Sequence, residues 1–102
     1  MIIYAGSFPI AGGSQDAVRQ ALATAREQTL AEDGCHAYEF GFDVDDPTRV
    51  VFHELYDDRS AFDAHMQADH TRALFKALGD HLAGRASGQM YAAELVRRDG
   101  GG

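Results

Sequence analysis

Residues 50–70 read Val50-Val51-Phe52-His53-Glu54-Leu55-Tyr56-Asp57-Asp58-Arg59-Ser60-Ala61-Phe62-Asp63-Ala64-His65-Met66-Gln67-Ala68-Asp69-His70. The first seven residues are apolar and β-branched enough for a buried strand, and the aspartates that follow stop it. Asp57 or Asp58 then caps a short helix with Ala61, Phe62, His65 and Met66 on its inward side. A helix that starts where a strand ends must fold back over the sheet to bury Phe62. His65 follows Phe62 on the same stripe. Glu54 and Tyr56, two positions apart, share one strand face. A glutamate in a strand of this character is paired, solvated or functional. Ionisable groups converging on apolar surface are what a small-molecule pocket needs. Glu54, Tyr56 and His65 are therefore expected to line one cavity between sheet and helices.

Working outward, Ile2 to Ile10 reads as a first strand, broken by Ala11-Gly12-Gly13. Ser14 is a good N-cap for the helix that follows, and Asp16 in its first turn suits the helix dipole. Val18, Leu22, Ala25 and Thr29 form its packing stripe. Gly34 is expected to end that helix as a left-handed cap at positive φ. Cys35 to Asp43 and Arg49 to Tyr56 form two strands around the turn composition Val44-Asp45-Asp46-Pro47-Thr48. Downstream, Asp69 caps a second short helix with Leu74, Phe75, Leu78 and Leu82 inward. Gly84 and Gly88 flank the start of a last strand, Gln89 to Val96. The order βαββααβ is an α+β, ferredoxin-like arrangement with a four-stranded antiparallel sheet and helices on one face.

Both sheet faces look apolar, and a sheet with two apolar faces must cover both. Helices cover one. The other, assigned to His36, Tyr38, Phe40, Phe42, Val51, His53 and Leu55, is expected to meet a second subunit's sheet. That predicts a homodimer, with His36 and His53 as interface groups.

The chain has 102 residues, enough for one domain, placed at residues 1–98 with 99–102 as a flexible tail. Its formal charge is −7 and its pI about 5.0. Nucleic acid and anionic membrane both need a basic patch, so neither is expected as a partner. Cys35 is the only cysteine, which excludes an internal disulfide and a cysteine-built zinc site. The apolar start, Met1 to Ile10, is too short for a membrane span and lacks a basic leader. A cytoplasmic protein is expected.

The order of strand, Glu54-Leu55-Tyr56, aspartate cap, Ala61-Phe62, His65 and Asp69-His70 resembles the antibiotic biosynthesis monooxygenase family. Glu32-Asp33-Gly34-Cys35-His36-Ala37-Tyr38 resembles that family's glycine-marked passage into its second strand, and the likeness covers roughly residues 2 to 97. It implies a ferredoxin-like fold paired into a dimeric α+β barrel, with no cofactor and no metal. It implies oxidation of a phenolic, quinol or polyketide-like aromatic substrate by molecular oxygen. Some relatives degrade haem. Tyr56 stands where many of the family carry tryptophan, and Tyr4-Ala5-Gly6-Ser7 lacks the asparagine of the haem-degrading members, which argues against haem.

On that reading His65 takes a proton from an acidic substrate hydroxyl. Glu54 fixes the imidazole or orients a hydroxyl, and Tyr56 stacks on a flat ring. Phe52, Phe62, Leu74 and Phe75 are the apolar walls, and His70 at a helix start is placed to meet an anion. Each has a structural alternative. His65 and Glu54 would be hydrogen-bonded fold groups, Tyr56 a half-buried strand end, and His70 a solvated first-turn residue. His81 reads as a surface residue. His65 and His70 differ by five positions, about 140° of helical rotation, so they do not make the i, i+4 pair of a zinc helix. Gly12-Gly13-Ser14 lacks the rest of a phosphate-binding loop. Two other functions stay open: an isomerase or related enzyme acting on a small phosphorylated metabolite, and a non-catalytic small-molecule-binding or stress protein.

Overall fold

The computed structural model describes residues 1–100; Gly101 and Gly102 of the expected tail lie outside the described residues. Strand β1 (Ile2–Pro9) leads to helix α1 (Gln15–Thr29), strands β2 (Cys35–Phe42) and β3 (Arg49–Tyr56), helices α2 (Arg59–Gln67) and α3 (Asp69–Leu78), and strand β4 (Ser87–Ala92). The sheet order is β2-β3-β1-β4, antiparallel throughout. The helices lie on one face, with α1 against β2 and α3, and α2 against β3. This is the expected α+β, ferredoxin-like layout.

Between β1 and α1 the chain turns at Gly13, which sits at φ 84°, a conformation that side chains with a Cβ resist. Val18, Leu22, Ala25 and Thr29 of α1 are buried as their spacing requires. Ser14 stands at the N-cap, but its hydroxyl meets the His81 imidazole at 3.0 Å instead of capping the helix. His81 is thus a half-buried partner of that turn. Asp69 does not cap α3. It is the first helical residue, after Ala68, and favours the helix by charge alone.

The expected sheet faces need correction. Tyr38 pairs with Glu54, Phe40 with Phe52 and Phe42 with Val50. Directly paired residues point the same way, so Tyr38, Phe40 and Phe42 belong to the helix-covered face. Tyr38 is 2% exposed there. Alternation assigns faces within a strand but not between strands; that depends on how the Asp43–Arg49 turn closes. A bulge between Cys35 and Ala37 adds a further shift. It leaves His36 off the barrel face, where it pairs with Asp57.

The uncovered face therefore carries Ile3, Ala5, Ser7, Ala37, Glu39, Val51, His53, Leu55, Gln89 and Tyr91. These are the residues alternating with the buried set in the observed registers. Gly34 is not at positive φ, and α1 ends earlier, at Thr29, with Leu30 in right-handed conformation. β4 begins before Gln89 and stops at Ala92, leaving Leu95 and Val96 exposed.

Candidate functional site

The site exists because β3 passes into α2 within two residues. Asp57 closes the strand with its N–H on the Gly34 carbonyl, at 2.9 Å. The Asp58 side chain, in extended backbone, accepts from the Ala61 N–H at 2.9 Å, so Asp58 is the cap. α2 settles close to the α1–β2 loop only because residue 34 has no side chain. A Cβ there would stand 2.5 Å from that of Ala61. The helix then presses Phe62 and His65 onto the sheet.

Glu54, Tyr56 and His65 are 6%, 0% and 2% exposed. The Tyr56 hydroxyl donates to Glu54 Oε1 at 2.5 Å. On the other side of Glu54, His65 Nε2 lies 3.9 Å from the same oxygen. His65 Nδ1 meets Glu32 Oε2 at 2.9 Å, and His70 Nε2 meets that oxygen at 2.5 Å. A carboxylate only accepts, so both imidazoles donate to Glu32. In the neutral imidazole this puts the His65 proton on Nδ1 and leaves Nε2, the nitrogen facing Glu54, as the acceptor. Thr71 Oγ1 lies 3.3 Å from Nδ1, and the Tyr38 ring stands edge-on to the imidazole, with centroids 5.2 Å apart.

Burial pushes the Glu54 carboxyl up to about 7; the Tyr56 hydroxyl opposes this and the nearby Glu32 charge adds to it. Near neutral pH Glu54 is therefore divided between carboxyl and carboxylate. Burial, then the Glu54 charge, pushes the Tyr56 phenol well above its usual range, and Tyr38 likewise. Both phenols stay neutral donors. Cys35 is buried and its thiol pushed up to about 11, first by desolvation and then by Glu32.

A cavity of about 180 Å³ opens beside this row, lined by residues that include Tyr4, Phe40, Phe52, Glu54, His65, Leu74 and Phe75. Its wall is continued by Met66 and Leu82, which with Phe75 are partly exposed, so the mouth is apolar. Space for the Tyr4 ring comes from Gly88 on β4, where a Cβ would lie 2.7 Å from the ring.

Of the residues expected at the pocket, Glu54, His65, Phe52, Leu74 and Phe75 line the cavity. Tyr56 does not; it lies behind Glu54 and acts on the cavity only through that carboxyl. Phe62 packs against Tyr4 and Tyr56, outside the lining. His70 points to Glu32 rather than into the cavity. Sequence reasoning missed Tyr4, Tyr38 and Glu32. Tyr4 and Tyr38 follow once strand registers are known. Glu32 gave no periodic signal, because it sits in the loop between α1 and β2. Among the described residues, Glu32, His65 and His70 are the group whose donor atoms could together hold a metal ion.

A ferredoxin-like sheet covered on one face by helices, with an apolar cavity ending in a carboxyl and an imidazole, defines a small α+β pocket domain. The sequence model of the antibiotic biosynthesis monooxygenase family matches residues 1–77, and the chain belongs to that family. Solved structures agree. A structure described as an antibiotic biosynthesis monooxygenase is similar at 26% identity, with TM-score 0.85, over 93% of this chain and 100% of its own. A Shewanella oneidensis protein shares 31% identity, with TM-score 0.80, over 88% of this chain and 87% of its own. A Nitrosomonas europaea protein given the same family name superposes with TM-score 0.87 at 24% identity, over 90% of this chain and 88% of its own. No curated protein matches the sequence. Among the described residues no helix is long and apolar enough to cross a membrane.

Proposed function

We propose that the chain is a cofactor-independent monooxygenase that oxidises a small phenol or quinol with molecular oxygen. The observation that carries this reading is the cavity. Its walls are apolar and aromatic, and the groups able to accept a proton, Glu54 and His65, stand together on its lining. A flat ring would lie against Phe52 and Phe40 with a hydroxyl at that end. At about 180 Å³ the space falls below the roughly 300 Å³ at which drug-sized pockets begin. One or two rings suit it better than a polycyclic framework.

His65 Nε2, left bare because Nδ1–H is held by Glu32, takes the hydroxyl proton. Glu54, held by Tyr56 and 3.9 Å from that nitrogen, orients the same hydroxyl. The electron-rich anion then reacts with oxygen. For a quinol the atoms balance without an outside reductant. One oxygen atom enters the ring at a C–H, giving a hydroxyquinone, and the other leaves as water with the two hydroxyl hydrogens. The apolar walls exclude bulk water from the anion. A sugar phosphate calls for cationic side chains, and this lining holds no Lys or Arg, while His70, where an anion was expected, is engaged by Glu32.

The same reading includes a homodimer. Ile3, Ala5, Ala37, Val51, Leu55 and Tyr91 form an apolar strip, beside Ser7, Glu39, His53 and Gln89, on a face that no element among the described residues covers. A second copy of that face is its natural partner.

Titration with 1,4-naphthohydroquinone under nitrogen, followed by amide and methyl chemical shifts, tests the pocket. Shifts at Tyr4, Met66, Leu74 and Phe75 are expected. Saturation with no shift at these residues would refute the assignment.

A further inference from the structure

Glu32, His65 and His70 come from three separate elements: the α1–β2 loop, α2 and α3. One ligand atom from each lies within 4.8 Å of the other two. Two imidazole nitrogens therefore aim at one point, now occupied by the Glu32 Oε2 atom, at 2.9 and 2.5 Å. Two imidazoles and a carboxylate are the donor set that borderline divalent ions prefer. The side chains of Glu32 and His70 are 20% and 19% exposed, so the point is open to solvent on one side, while His65 closes it on the other at 2%.

We propose that these three residues bind one divalent transition ion of the zinc class, with water completing its shell. The ion would take the place where the two nitrogens converge. Donor–ion distances of about 2.1 Å in a tetrahedral shell require the carboxylate oxygen to withdraw by roughly 0.5–1 Å. Glu32, on a loop and partly exposed, has room on its solvent side. His65 alone is fixed, and its Nδ1 already faces the site.

Binding has a consequence for the cavity, which rests on the oxygenase reading above. An ion on Nδ1 uses that nitrogen's lone pair and drives the ring proton to Nε2. Nε2, 3.9 Å from Glu54 Oε1, changes from acceptor to donor. His65 can then no longer take a proton from a hydroxyl, and the ion acts as an inhibitor.

The test uses the full chain freed of metal by chelator and titrated with zinc chloride in a calorimeter. One ion per chain, with micromolar or tighter affinity, is the expected result. Glu32→Gln and His70→Ala should each weaken it at least tenfold, and His53→Ala, on the uncovered face, should leave it unchanged. Nitrogen-15 spectra of the histidines should show the His65 proton moving from Nδ1 to Nε2 as zinc is added. Folding of each variant is checked by circular dichroism. Glu32→Gln keeps the side chain's size and one acceptor oxygen for the two imidazoles, so it serves if His70→Ala does not fold. No saturable binding, binding that survives Glu32→Gln, or unmoved His65 signals would overturn the site. Oxygen uptake with and without zinc is read separately. Its absence in both would sink the oxygenase reading, while the calorimetry still decides the metal site.

Discussion

Glu54→Gln should stabilise the protein at pH 8 and have little effect at pH 4. The carboxyl stands at about 7 in the fold against an ordinary 4.5. At 1.36 kcal/mol per pKa unit that gap is worth about 3 kcal/mol. The sign follows from proton binding. Below pH 4.5 both folded and unfolded chains hold the proton and nothing is lost. Between 4.5 and 7 the unfolded chain releases it while the fold retains it, so stability falls as pH rises. Above 7 the fold carries a buried carboxylate and the full penalty. Glutamine fills the same space, and its oxygen can accept the Tyr56 hydroxyl that Glu54 now receives. Urea unfolding of both proteins at one fixed concentration, at pH 4 and pH 8, measures the difference. The variant should gain about 3 kcal/mol at pH 8, with a difference near zero at pH 4. A variant no more stable than the parent at pH 8 would refute the claim that burial governs this carboxyl.

Gly34→Ala should cost about 1–3 kcal/mol, the usual range for overpacking, because its Cβ would stand 2.5 Å from that of Ala61. The double variant with Ala61→Gly should recover much of the loss in the same unfolding assay. Cys35, buried with its thiol pushed up to about 11, should resist Ellman's reagent at pH 8 in the native protein and react within seconds in urea. Leu55→Asp places a charge at the centre of the uncovered sheet face and should abolish the proposed homodimer in sedimentation equilibrium. A wild type that sediments as a monomer at micromolar concentration would rule that dimer out.

The element order and most helix positions were legible because they rest on local chemistry. The α1 stripe follows helical spacing, and Asp58 caps α2 by its place between strand and helix. The faces of β2 were not legible. Its two sets, one with Tyr38 and Phe40 and the other with Cys35 and Ala37, are both apolar. Only the hairpin register and the bulge before Ala37 decide which set meets the helices. Gly34 was recognisable as special, but for the wrong reason. The constraint is the approach of Ala61, a contact between segments distant in sequence. Glu54 and His65 could be brought together from the strand-to-helix passage alone. Glu32 could not, since its partners His65 and His70 lie 33 and 38 positions away. Tyr56 shares the Glu54 face as its spacing requires, yet it is covered by α2 and reaches the cavity only through Glu54.

On the proposed function, this cavity activates a small quinol for direct attack by oxygen, with His65 Nε2 as the base. The most direct measurement supplies labelled dioxygen, both atoms oxygen-18, to chelator-treated protein with 1,4-naphthohydroquinone and follows the product by mass spectrometry. The expected product is a hydroxyquinone carrying one labelled atom, the other appearing in water. The rate in His65→Ala should be about 10²-fold or more lower, as expected for loss of a general base. A product formed no faster than without protein, or at the same rate by folded His65→Ala, would contradict the proposed function.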